Sequence, residues 1–142
     1  LHRMRETMPH LRLYEPAEFI DKFVLDELEI TPLDTCVAVH VTCSTRKMNV
    51  TQHLLHVAQA CATQVLVPEE IGCCAFAGDK GFTHPELNAW ALRKLRGQVE
   101  KAHATMGVSN SRTCEIGLTT HSGIEYYGIA HLVNITSRRK TN

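Results

Sequence analysis

Short apolar runs separated by helical patterns constrain this chain more than any other feature. "TCVAVHV", residues 35 to 41, is rich in β-branched residues and apolar on both faces, as a strand buried inside a parallel sheet must be. "TQVLVP", 63 to 68, reads as a second buried strand that Pro68 ends. "GVSNSRT" from Gly107 reads as a weaker third strand and "IEYYGI", 124 to 129, as a fourth. Helical periods fill the gaps. Phe19, Ile20, Phe23, Val24 and Leu28 place an amphipathic helix over 16 to 28, before a turn at "TPLD". Val50, Leu54, Val57, Ala58 and Cys61 predict another near 50 to 62. Thr83 and Glu86 have the spacing of a capping box around Pro85, so a long helix is expected from about 84, with Leu87, Ala91, Leu95, Val99 and Ala102 on its core face and Gly107 as its stop. "EIGLTTHSG", 115 to 123, reads as a short helix closed by Gly123, and "AHLVNIT", 130 to 136, as the last; a competing reading starts one helix at Ser122 with Glu125 as its capping partner. Strands alternating with helices predict an α/β fold: a single domain over 1 to 142 with a small, mostly parallel sheet of about four strands flanked by helices, Rossmann-like, after a lead-in over 1 to 32.

With 142 residues the chain can bury a core unaided, because a domain near that size hides about 68 to 70% of its unfolded surface. A metal site would therefore serve function, not rescue the fold. Fifteen Lys plus Arg balance fifteen Asp plus Glu, which leaves no broad cationic footprint for nucleic acid or an anionic membrane. The basic "SRRK" at 137 to 140 reads as a solvated tail. No apolar run reaches the ~20 residues of a membrane span, and "LHRMRETMPH" fits neither a signal peptide nor a targeting helix. The expected location is cytoplasmic, or peripheral to the inner face of the membrane. Without an initiating Met, the chain reads as a fragment of a longer polypeptide.

Six cysteines, at 36, 43, 61, 73, 74 and 114, form no C-x-x-C and no secreted disulfide framework. Cys73 and Cys74 are neighbours, with Cα atoms ~3.8 Å apart, closer than a relaxed disulfide spans. A third party held by both sulfurs explains the pair better. Cys43 follows the first predicted strand, Cys73 and Cys74 the second, and Cys114 the third, so all four fall along the sheet edge where α/β folds bind ligands. Thiolates gathered there suit an iron-sulfur cluster or zinc. Gly72, Gly78 and Gly81 would let backbone N–H groups approach sulfur, while Lys80 and Arg112 would offset charge. Cys36 and Cys61 read as core residues and His53 with His56 as a solvated face; His40, near Cys43, reads as a core residue or one that supports the site from behind, and His84 and His121 are candidates to line it.

Three segments, "HVTCSTRK", "VPEEIGCCAFAGDKGFTHPELN" and "SRTCEIGLTTHSGI", resemble the cysteine-rich CCG-domain family across roughly residues 33 to 136. Within it they are most similar to the C-terminal iron-sulfur region of FAD-linked D-2-hydroxy acid dehydrogenases of the D-lactate type. The resemblance implies cluster ligation, of 4Fe-4S type, by Cys43, Cys73, Cys74 and Cys114. It implies an oxidoreductase role in electron transfer, from FAD on preceding domains towards a quinone or cytochrome-type acceptor. The alternative is a zinc-bound or metal-free docking module without redox activity; thiol-disulfide chemistry at the vicinal pair ranks third. Two positions depart from the family: Gly117 stands where the wider pattern has the second Cys of C-x-x-C, and Ala75 replaces the glycine of Cys-Cys-Gly.

Overall fold

The computed structural model describes residues 1–140, and within them the expected α/β architecture holds. Four parallel strands lie in the order β3-β2-β4-β5: β2 (Leu33–Val39), β3 (Ala62–Leu66), β4 (Ala104–Ser109) and β5 (Tyr126–Gly128). Ahead of them come α1 (His2–Thr7), α2 (Pro16–Phe23) and the short strand β1 (Leu28–Ile30). The remaining helices are α3 (Cys43–Lys47), α4 (Thr51–Cys61), α5 (Lys80–Thr83), α6 (Pro85–Ala91), α7 (Leu95–Lys101), α8 (Arg112–Ser122) and α9 (Ile129–Thr136), followed by β6 (Ser137–Arg139).

Strand β2 divides the core by its two-residue period. Val37 and Val39 face Leu54, Val57 and Leu132 from α4 and α9, whereas Cys36 and Ala38 belong with Leu95, Leu118 and Tyr126 on the other side. The chain runs from β2 to β3 at one edge, then returns past β2 to β4. Loops leaving the carboxyl ends of β2 and β4 therefore part at a topological switch point, where α/β sheets hold ligands.

Several local expectations are corrected. The helix over 16 to 28 stops at Phe23, a 3-10 turn covers Leu25–Glu27, and Phe19 and Phe23 lie half exposed against Tyr14 instead of in the core. Its cap is Glu15, whose carboxylate accepts from the Ala17 and Glu18 amides. The strand β2 already begins within "TPLD", at Leu33. Strand β3 is an edge strand with Thr63 and Gln64 exposed, so it is not buried on both faces. The long helix from 84 is two helices, broken between Ala91 and Leu95. No side chain caps α6, and Leu87 is half exposed. Gly107 ends no helix; it sits in β4, where a Cβ would lie 2.4 Å from the Tyr126 ring. Gly123, with φ 86°, does close α8, which excludes the helix starting at Ser122. "SRRK" is paired: β6 runs antiparallel to β1, and Lys140 donates to the Glu27 and Asp26 carbonyls. Among the described residues no helix is long and apolar enough to cross a membrane.

Candidate metal centre

Three loops bring the four cysteines together. The first leaves β2, with the His40 amide donating to the Val108 carbonyl at 2.9 Å. Thr42 then caps α3, its Oγ1 accepting from the Thr45 amide at 3.1 Å, and Cys43 occupies the first turn with its side chain open to solvent. The second is the loop after β3, where Cys73 is exposed and Cys74 is buried. The third leaves β4 and enters α8, which carries Cys114, also buried, in its first turn. All six cysteines are free thiols.

The sulfurs sense one another. Cys114 Sγ lies 2.8 Å from Cys74 Sγ. The hydrogen bond between the two sulfurs holds the Cys74 thiol well below its usual range, against the burial that would raise it. Cys114 itself is pushed upward, first by that bond and then by burial, so the two thiols are driven apart in acidity. Cys73 is raised by burial, and charge on Cys43 and Cys74 would raise it further; the Ala75 amide donates to its sulfur at 3.3 Å and works the other way. Bringing several thiolates together without a cation is unfavourable, and a bound metal reverses that balance.

The loop holding the vicinal pair is built around Phe76. This ring is buried, meets Phe82 edge to face with centroids 4.9 Å apart, and rests on Gly81, where a Cβ would come within 2.4 Å of it. Gly117 of α8 packs against the same ring and against Asn88, whose Nδ2 would lie 2.5 Å from a Cβ there. Asn88 is buried and donates to the Cys74 carbonyl. Gly117 thus leaves room for Asn88, and in this chain Asn88 and Phe76 fill the place of a second C-x-x-C cysteine. Ala75 has φ 55° and Ala77 φ 46°, left-handed conformations that favour glycine.

The other predicted residues fall as follows. Gly78 has φ 72° and serves the turn, with open space around it. Gly72 and Ile71 offer their carbonyls to the Arg46 guanidinium, which ties α3 to the Cys73 loop. Lys80 begins α5, and its carbonyl accepts from His84. Arg112 reaches Glu115 at 2.9 Å, not a sulfur. Cys36 and Cys61 are core side chains on opposite faces of the sheet. His84 pairs with Glu86 at the surface, and His121 sits in the last turn of α8. His53 and His56 are not simply solvated: both bind the Asp21 carboxylate and join α4 to α2.

Sequence reasoning missed Arg46 and Asn88, which support the cysteine loop, and left His40 undecided. His40 is 1% exposed, and a ring nitrogen lies within 4.8 Å of both Cys74 and Cys114 sulfurs. Burial, with Arg46 charge adding to it, lowers its pKa to about 4, so the imidazole is neutral. Among the described residues this is a group of three metal-capable side chains at one point, and two sequence signals pointed there: a histidine at the end of a buried strand, three residues before Cys43.

The CCG family model, described as a cysteine-rich domain, matches residues 37–119, more than half of the chain and all four clustered cysteines. No curated protein and no solved structure matches the chain.

Proposed function

Since the chain belongs to the CCG cysteine-rich domain family, we propose that it holds an iron-sulfur cluster of 4Fe-4S type on Cys43, Cys73, Cys74 and Cys114 and acts as an electron relay. One observation carries the reading: buried Cys74 and Cys114 meet at 2.8 Å, with Cys74 held towards thiolate, at the switch point of the sheet. The donor set fits the group. Soft thiolates from three loops suit iron-sulfur or zinc, and the Ala75 amide already donates to the Cys73 sulfur. A bound cluster would supply one-electron chemistry at the surface formed by the Cys43 and Cys73 loops.

Similarity to the FAD-linked D-2-hydroxy acid dehydrogenases supports the finer reading, in which the chain is one part of an oxidoreductase. It would receive electrons from FAD-bearing domains and pass them towards a quinone or cytochrome-type acceptor. In that setting Gly72, Gly78 and Gly81 shape the loops around the sulfurs and Lys80 contributes positive charge at the rim, while the charge of Arg112 is offset by Glu115.

A second reading, a zinc-bound or metal-free docking module, draws on one feature. Phe82 and Trp90 are each about two-thirds exposed, and with half-exposed Leu87 they line α5 and α6 beside the cysteine loop. Anaerobic purification separates the two. A brown chain with iron and sulfide in near-equal amounts, bleached in Cys73→Ser, supports the relay. Colourless protein with one equivalent of zinc supports docking and ends the cluster reading.

A further inference from the structure

The four-cysteine reading leaves a buried imidazole without a role. His40 stands at the carboxyl end of β2, in the middle of the sheet, with its backbone fixed by the bond to Val108. Its Nε2 is buried and has no hydrogen-bond partner. An unpaired buried nitrogen is destabilising, and is tolerated where the lone pair or the proton has another use. Its nearest metal-capable neighbours are the sulfurs of Cys74 and Cys114, with all three donor atoms within 4.8 Å of one another. Donors sharing one metal ion at about 2.0–2.3 Å stand roughly 3.3–3.8 Å apart, so small side-chain rotations would bring this trio onto a common centre.

Other candidates for an extra donor are removed by the same structure. Cys61 belongs to the opposite core face, packed among α4 and α9 residues. Position 117 is glycine, with Asn88 and Phe76 where its side chain would be. His84 is paired with Glu86 at the surface. Among the described residues, His40 is the one buried histidine with a ring nitrogen beside the inner pair of sulfurs.

We propose that His40 is a metal ligand, binding through a ring nitrogen beside Cys74 and Cys114 and making the centre a mixed nitrogen-thiolate site. The neutral ring donates its lone pair and keeps its single proton on the other nitrogen, so no acid or base is consumed. Exposed Cys43 and Cys73 then form the outer side of the centre, and the buried trio its inner side. Added to the four thiolates, the neutral nitrogen brings no negative charge, whereas a fifth thiolate in its place would make the site more negative and lower its reduction potential.

This rests on the metal-centre reading, and the test keeps the two apart. The whole chain, with its thiols reduced, is loaded anaerobically in two ways: with iron and sulfide, followed by one-electron reduction with dithionite so that the cluster is paramagnetic, and with Co2+ alone. Pulsed EPR then looks for the hyperfine coupling of a directly bonded imidazole 14N, in wild type, His40→Gln and His40→Cys. Gln keeps an N–H donor but lacks the imidazole lone pair, so it preserves a hydrogen-bonding role and abolishes ligation. The expected result is a bonded-nitrogen coupling in wild type that disappears in both variants. His40→Cys should also hold Co2+ within a few-fold of wild type, while His40→Gln loses more than the ~10–100-fold typical of an outer hydrogen-bond partner. A loaded wild type without bonded-nitrogen coupling, or His40→Gln indistinguishable from it, overturns the proposal and leaves the cluster reading standing. Co2+ bound with nitrogen coupling but no uptake of iron and sulfide does the reverse. A chain that takes up neither overturns both.

Discussion

Ala75 is the residue at which backbone strain and ligand geometry meet. Its φ of 55° costs an L-residue on the order of 1–2 kcal/mol, and the same conformation lets its amide reach the Cys73 sulfur. Glycine removes the strain but adds unfolded-state entropy worth about 0.5–1 kcal/mol. Ala75→Gly is therefore expected to stabilise the chain by about 0.5–1 kcal/mol in urea unfolding, without loss of metal uptake. A destabilised variant would mean that the Ala75 methyl makes a compensating contact. The departure of Ala75 from the Cys-Cys-Gly signature could be read from the sequence, whereas its positive φ could not. The role of Asn88 could not, because a polar residue in a predicted helix gives no sign that it reaches back to the Cys74 carbonyl fourteen residues earlier.

At the scale of elements, α8 and the Cys74 loop are joined through Phe76, with Gly81 and Gly117 packed against its ring. Gly117→Ala forces a methyl into Asn88 and Phe76, so a loss of about 1–3 kcal/mol is expected, together with weaker metal binding because the Cys74 carbonyl loses its support. Unchanged stability and uptake would show that Asn88 moves aside freely. A second junction ties α2 to α4. Burial pushes the Asp21 carboxyl up, but bonds from His53 and His56 outweigh it and hold it below its ordinary value of 3.8. The folded chain consequently binds fewer protons there than the unfolded chain does in acid. The stabilisation is present above the unfolded carboxyl value and is lost as pH falls through the lower folded one. Asp21→Asn should thus weaken the chain at neutral pH and flatten its acid unfolding profile below about pH 4; an unaltered profile would remove this junction from the account. The helix bearing His53 and His56 was legible from its apolar period, but their partner was not, since Asp21 lies on another helix more than thirty residues away.

On the scale of the whole molecule, the sheet supplies order that the metal loops lack by themselves. Two cores pack against opposite faces of β2 and β4, whereas Cys43, Cys73 and the turn through Gly78 are exposed. A metal ion held by three loops would close them together and so bind the folded state in preference to the unfolded one. Free metal at ~1,000 times its Kd should then stabilise the chain by about 4 kcal/mol, seen as a raised unfolding midpoint that falls back when a chelator is added. A midpoint indifferent to metal would separate the cysteines from folding altogether.

The fold class was written in the chain's periodicity: "TCVAVHV" must bury both faces, and helices between strands require a parallel sheet. The four thiols and their loops were legible for the same reason, since residues after parallel strands share an edge. The rest depended on contacts between segments distant in sequence. Pairing of "SRR" with Leu28–Ile30 and the stacking of Phe76 between two glycines have no local signature, and the place of His40 at the end of a strand does not tell that its ring meets Cys74 and Cys114. Periodicity determines which face of a segment is buried; only packing determines what that face meets.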